Sequence, residues 1–243
     1  MVQNGHDEQP IEFRYKFTFD NGREREFIVL LDAVTLEMQK PPREEYPPWT
    51  RLDNNQCSNC PLKKEDSPRC PTAESMVEVI DIFKDSISSD QVDIEISTPM
   101  RTYKKRASLS TGVSALIGLH MATSGCPVLG KMKPMARTHM PFATLPETLY
   151  RMMGMYMLGQ FFKAKEGKKP DLEMKGLVEI IEDVRIVNKA FCQRLYEVCT
   201  QDASLNAVVH LDCFADNSSF IIQKKGLERV KGAFDHYLRE DPK

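Results

Sequence analysis

Between residues 11 and 31 apolar and polar side chains alternate with a period of two, which predicts a pair of strands. Ile11, Phe13, Tyr15, Phe17 and Phe19 interleave with Glu12, Arg14, Lys16 and Thr18, and Phe27, Val29 and Leu31 resume the pattern after Asp20-Asn21-Gly22. Such alternation sends one set of side chains to a buried face and the other to solvent. Asn-Gly between the runs accepts positive φ at both positions, so the segment reads as a hairpin.

From about Ala73 the period lengthens. Met76, Ile80, Phe83 and Ile87 recur at spacings of three and four, which predicts a helix. Val92, Ile94 and Ile96 then alternate with Asp93, Glu95 and Ser97 as a strand that ends near Pro99, and Arg101 to Ala107 can form another. Ser108 or Ser110 can cap a following helix with a stripe through Val113, Leu116, Ile117 and His120, stopping at Gly125.

Beyond it the spacing is helical throughout. Thr144-Leu-Pro-Glu147 has the form of a capping box and opens an apolar helix to about Phe162. Asp171 is positioned to cap a long helix through Leu172, Leu177, Ile180, Ile181, Val184, Val187, Phe191, Leu195 and Val198, and a last helix runs from about Phe220 to Leu238. These elements predict an α+β fold: a small antiparallel sheet, made of the N-terminal hairpin plus one or two strands near 91–107, packed with a mainly helical C-terminal region. Residues 1–10 read as a tail, 11–107 as the sheet-containing region and 108–243 as the helical region, the last two forming one continuous domain.

Residues 40–72 follow neither period. The stretch carries seven of the fifteen prolines, three of the seven cysteines and the single tryptophan. An aperiodic loop this long inside a folded chain needs something to hold it.

Composition narrows the choice of what that is. With 243 residues, 41% apolar and 28% charged, the chain can bury a full core, and its net charge of −2 gives no general pull toward nucleic acid or anionic lipid. The segments 113–122 and Leu149–Phe162 read as buried helices: the first is too short to span a bilayer, and the second carries Arg151 and Gln160. The first ten residues lack the apolar core of a secretory signal, so a reducing cytosol is expected, where disulfides are rare. The thiols are then core residues, metal ligands or reactive groups.

Cys57 and Cys60 form a CxxC pair that can direct two sulfurs at one ion from one turn, and Cys70 follows after nine intervening residues. A closed zinc site takes four ligands. Cys126 is the best candidate for the fourth, with His120 and His139 as alternatives. Gly125 can end one helix and Pro127 start another, which would put Cys126 at an N-cap, where open N–H groups lower a thiol's pKa. Zinc fits this set best, and an iron–sulfur cluster is the alternative. Cys60, Cys70 and Cys126 are each followed by proline, as at the end of ferredoxin-type runs, although the spacing here is different. Cys192, Cys199 and Cys213 fall in helical patterns and read as small buried hydrophobes.

Lys131, Lys133, Arg137 and His139 follow Cys126 among methionines and prolines. They could bind an anion or keep Cys126 ionised as a nucleophile with His139 as proton carrier, but a connector with solvated charges accounts for them more simply. No P-loop, dinucleotide fingerprint, HExxH or GxSxG motif is present. The expectation is therefore a non-enzymatic metal-binding protein with a structural or regulatory site, with thiol chemistry at Cys126 as the enzymatic alternative.

At QCSNCPL (56–62) and TSGCPVLGKMKPMARTHMPFAT (123–144) the chain resembles an uncharacterised family of bacterial proteins carrying a domain of unknown function. The resemblance covers most of the chain from Ile11 onward. It implies a bacterial cytosolic protein and transfers no catalytic residue.

Overall fold

The computed structural model describes residues 9–40, 43–223 and 228–239; most of the predicted N-terminal tail lies outside them. Two hairpins build one sheet. Strands β1 (Ile11–Phe19), β2 (Glu24–Leu31), β3 (Gln91–Thr98) and β4 (Arg101–Ser108) are arranged in the order β2-β1-β3-β4, every neighbour antiparallel. The first turn is a three-residue loop. The Gly22 N–H donates to the Phe19 carbonyl at 2.9 Å, and Gly22 has φ +77°. Among the turn residues only the glycine takes positive φ, because a type I turn followed by one left-handed residue matches the twist of the strands.

The alternation seen in the sequence sorts the sheet into two faces. Phe13, Tyr15, Phe17, Phe27, Val29, Leu31, Val92, Ile94 and Ile96 are buried on the inner one. The outer one carries ion pairs such as Lys16–Glu24 at 2.8 Å and Lys104–Glu95 at 2.7 Å. The edge strand β4 holds Lys104, Lys105 and Arg106, charges that oppose pairing with another sheet.

Helices α1 (Pro71–Ser75) and α2 (Val77–Phe83) close one end of the inner face, where Phe83 meets Phe17 and Phe27 with ring centroids 5.2 and 5.4 Å apart. The helix stops before Ile87, which is 48% exposed and so not part of the predicted stripe. Helix α3 (Leu109–Thr123) crosses the sheet and is buried on nearly all sides. Ser108 occupies its N-cap position, but its hydroxyl pairs with Thr111 Oγ1 at 2.8 Å instead of with backbone. One side of α3 touches the sheet at Gly112, where a Cβ would stand 2.6 Å from the Phe17 ring and 2.9 Å from Ile94. The other side lies on α6 (Ala203–Gln223), with Ser114 Oγ donating to the Ala207 carbonyl at 3.1 Å.

A run of 3-10 turns over Leu129–Thr138 leads to α4 (Leu145–Lys165), whose capping box between Thr144 and Glu147 forms as predicted. Helix α4 is flanked on one side only, so Tyr150, Leu158, Phe161 and Phe162 are exposed instead of buried. Its Leu149, Met152 and Tyr156 join Leu177, Ile181, Ala215 and Ile222 in a second apolar cluster. Helix α5 (Lys175–Tyr196) starts three residues later than its pattern suggests and leaves Leu172 66% exposed. Asp171 still acts as its cap from a distance, accepting the N–H groups of Glu173 and Gly176. Short helices α7 (Glu228–Lys231) and α8 (Asp235–Leu238) follow, where one continuous helix was expected; residues 224–227 of that segment lie outside the described residues. Among the described residues no helix is long and apolar enough to cross a membrane.

Gly112 marks the tightest approach of helix to sheet. Gly112→Ala should lower stability by about 1–3 kcal/mol through overpacking against Phe17, despite a helix-propensity gain of about 1 kcal/mol. Gly154→Ala in α4 meets nothing within 4 Å and should raise stability by about 0.5–1 kcal/mol. Urea unfolding of the two variants tests the contrast, and equal effects would refute it.

Candidate functional site

The aperiodic loop is pinned by its own ends and by one buried cation. Residues 50–52 lie beside 68–70: Cys70 N–H donates to the Thr50 carbonyl at 2.8 Å, and Leu52 N–H to Pro68 at 3.0 Å. Across this ladder Arg194 of α5, only 2% exposed, donates through Nη1 to the carbonyls of Trp49 (2.5 Å) and Arg51 (2.6 Å). No carboxylate forms an ion pair with it among the described residues. Burial lowers its pKa, and the nearby Cys70 and Cys57 act against that shift. The sequence did carry a signal for Arg194, since it interrupts the apolar stripe of Phe191, Leu195 and Val198.

The CxxC turn is closed by the Cys60 N–H donating to the Cys57 carbonyl at 3.0 Å. Between the two cysteines, Asn59 Nδ2 donates to the carbonyl (3.0 Å) and side chain (3.2 Å) of Asp183 on α5. The same carboxylate pairs with Lys131 at 3.0 Å. Asp183 thus ties the CxxC loop to the segment that follows Cys126, a role nothing in its sequence setting signals.

Cys126 approaches from the far side. Gly125, with φ +92°, turns the chain out of α3, and the backbone N–H groups of Val128 and Leu129 lie near the Cys126 thiol and favour its ionised form. The helix expected to start at Pro127 is instead a turn leading into 3-10 structure, so the donors at Cys126 are two local amides and not an α-helix terminus. Thr72, next in chain to the Cys70-Pro71 step, pairs with Ser124 Oγ at 3.0 Å and favours ionisation of the nearby Cys126 thiol.

Cys57, Cys60, Cys70 and Cys126 share one electrostatic neighbourhood. Burial pushes the Cys57 thiol up to about 12, and Cys70, Cys126 and Cys60 each add to the rise. Cys126 is also raised: burial outweighs its two amide bonds, which reverses the expectation of a depressed pKa. The sulfurs are not drawn into a closed shell. Among the described residues no three His, Cys, Asp or Glu side chains stand grouped as a metal ion requires. Cys192 and Cys199 are pushed up to about 11 by burial and face Asp212 and Asp85 instead, and Cys213 is exposed. All seven cysteines are free of disulfides.

The two histidines considered as ligands are both buried. His120 is buried at the end of α3, with neither ring nitrogen in hydrogen-bond geometry; the Ser75 backbone and Lys40 are near it. His139 lies under the sheet, its Nε2 2.6 Å from the Tyr15 hydroxyl and its ring edge-on to Phe13.

Comparison with known families places the chain in one of them. The profile of a domain of unknown function (DUF6901) matches residues 13–235, so the protein belongs to that family. No curated protein and no solved structure matches.

Burial holds His120 down to about 4 and His139 to about 3, against an ordinary 6.5. Both are neutral in the folded protein, whereas the unfolded chain takes up protons below 6.5. Their contribution to stability is therefore complete above pH 6.5 and is lost as pH falls through the folded values. Urea midpoints should drop between about pH 7 and about pH 4.5, and His120→Phe or His139→Gln should flatten the slope. A slope unchanged in both variants would count against this assignment.

Proposed function

We propose that this member of the DUF6901 family binds a metal ion through Cys57, Cys60, Cys70 and Cys126, with zinc the best match, in a structural or regulatory role. One observation carries the reading: three separate stretches of chain bring four of the seven cysteines into one electrostatic neighbourhood, with the buried charge of Arg194 near Cys57, Cys60 and Cys70. The other three cysteines do not share it.

The surroundings suit a thiolate cluster. A tetrathiolate zinc site carries a net negative charge, and Arg194 supplies a fixed cation that is in no ion pair among the described residues, Glu197 acting on it only from a distance. The amides of Val128 and Leu129 already point at one sulfur. Ion binding would draw the sulfurs inward, a movement that turn and loop positions accommodate more readily than helix positions. The metal supplies the positive charge that ionises desolvated thiols. Without it, Cys57 and Cys126 stay protonated near neutrality, which leaves Cys126 a poor nucleophile and favours a non-enzymatic role. Seven unpaired thiols suit a reducing compartment, and we place the protein in the cytosol.

Elemental analysis of protein purified without chelator should find about one zinc per chain. Cys57→Ser and Cys126→Ser should abolish it, while Cys192→Ser should not. Zinc uptake should release several protons per ion, read by calorimetry in buffers of differing ionisation heat, and affinity should rise with pH. Chelation should lower the melting temperature by about 2–4 °C per kcal/mol of binding free energy lost. Substoichiometric zinc and iron, with folding unaffected by Cys57→Ser, would sink the proposal. Iron and sulfide in a brown anaerobic preparation would move the same four thiols to an iron–sulfur cluster.

A further inference from the structure

A cavity of about 640 Å³ lies between α3, α6, the start of α4 and the segment that follows Cys126. Its volume falls within the range of small-molecule sites, roughly 300–1,000 Å³. Methionines 132, 135, 140 and 152 make up much of its wall, a soft apolar lining that adapts to flexible chains. Exposed His210 and Phe214 of α6 stand at its rim, so it communicates with solvent.

The polar part of the lining is one-sided. Lys105 and Arg151 are its charged residues, and it contains no aspartate or glutamate. Arg151 is partly buried and forms no ion pair among the described residues, Glu147 one turn earlier in α4 acting on it from beyond ion-pair range; its guanidinium donates to the Met135 carbonyl at 2.9 Å and to Thr138 Oγ1 at 3.5 Å. Lys105 pairs in register with the inward-facing Ile94, so it points to the helical side of the sheet. Its ammonium stands 5.7 Å from the centre of the Phe142 ring, with no carboxylate in ion-pair range. Asn188 of α5 is 2% exposed, lines the same cavity, and its Nδ2 donor has no partner. A buried donor without an acceptor costs free energy until something accepts from it.

We propose that this cavity binds a medium-chain carboxylate, its hydrocarbon chain among the methionines and its head group at Arg151 within the positive potential of Lys105. An apolar wall favours the chain. A half-buried cation in no direct ion pair favours a single planar anion that a guanidinium can hold in two parallel bonds. The site is independent of the cysteine cluster, although Leu129 and the turns after it form part of the wall.

Calorimetric titration of the full chain with sodium decanoate, 1-decanol and decylamine tests this. Decanoate should saturate one site, decanol should bind about tenfold more weakly, and decylamine should not bind. Arg151→Met should bring decanoate down to the level of decanol and leave decanol unchanged. Lys105→Gln, at an exposed position on β4 that should tolerate substitution, should weaken decanoate about threefold and so keeps the test decisive if Arg151→Met fails to fold. Equal binding of all three compounds would overturn the proposal. So would decanoate affinity unmoved by either folded variant, or no saturable decanoate binding.

Discussion

Arg194 carries a full positive charge inside the protein, and the position of the proline-rich loop depends on where that charge is satisfied. Its Nη1 donates to two carbonyls of the loop, at Trp49 and Arg51. Charged hydrogen bonds of this kind are each worth about 1.5–3 kcal/mol. The loop has almost no regular structure of its own to orient it. A buried guanidinium is costly to leave unsatisfied, so helix and loop are held in one arrangement. Trp49 then packs into the main core, and Cys57, Cys60 and Cys70 come to rest near the same charge.

Burial sets the character of the thiols as it sets that of the arginine. Desolvation disfavours charge on both, raising cysteines and lowering Arg194, while their mutual attraction works the other way. A cation added among the sulfurs would tip that balance toward thiolate. Asp183 ties the two halves of the region, holding Asn59 on one side and Lys131 on the other. The chain running on from Lys131 then becomes a wall of the methionine-lined cavity. One connector thus belongs to both sites, and order in it is shared between them.

Where the sequence misled, the reason is a missing neighbour or a local competitor. Ile87 and Leu172 fit helical stripes, yet both lie beyond the ends of the helices formed. The chain turns back after Lys84 to bond Ser88 to Asp202 (2.8 Å), and Asp171 draws the N–H groups of Glu173 and Gly176 onto its own carboxylate. Tyr150, Phe161 and Phe162 are apolar but exposed, because periodicity identifies a helix without saying on how many sides it is covered. Cys126 was expected at a helix terminus and is met by two turn amides, whose effect burial then exceeds.

By itself the sequence determined the N-terminal hairpin, the strand through Val92, Ile94 and Ile96, the capping box at Thr144, the central helix through Val113 and Leu116, and the grouping of Cys57, Cys60 and Cys70 in one aperiodic stretch. Each is a matter of neighbours along the chain, where period, turn residues and caps act within a few positions. The tertiary structure alone decided that Cys126 comes within electrostatic reach of Cys57, that His139 lies against Tyr15, and that Arg194 and Asp183 hold the loop. It also decided that Lys105 and Arg151 line one apolar cavity whose described lining holds no aspartate or glutamate. Those relations join residues tens of positions apart, and only the packing of helices onto the sheet's inner face brings them together.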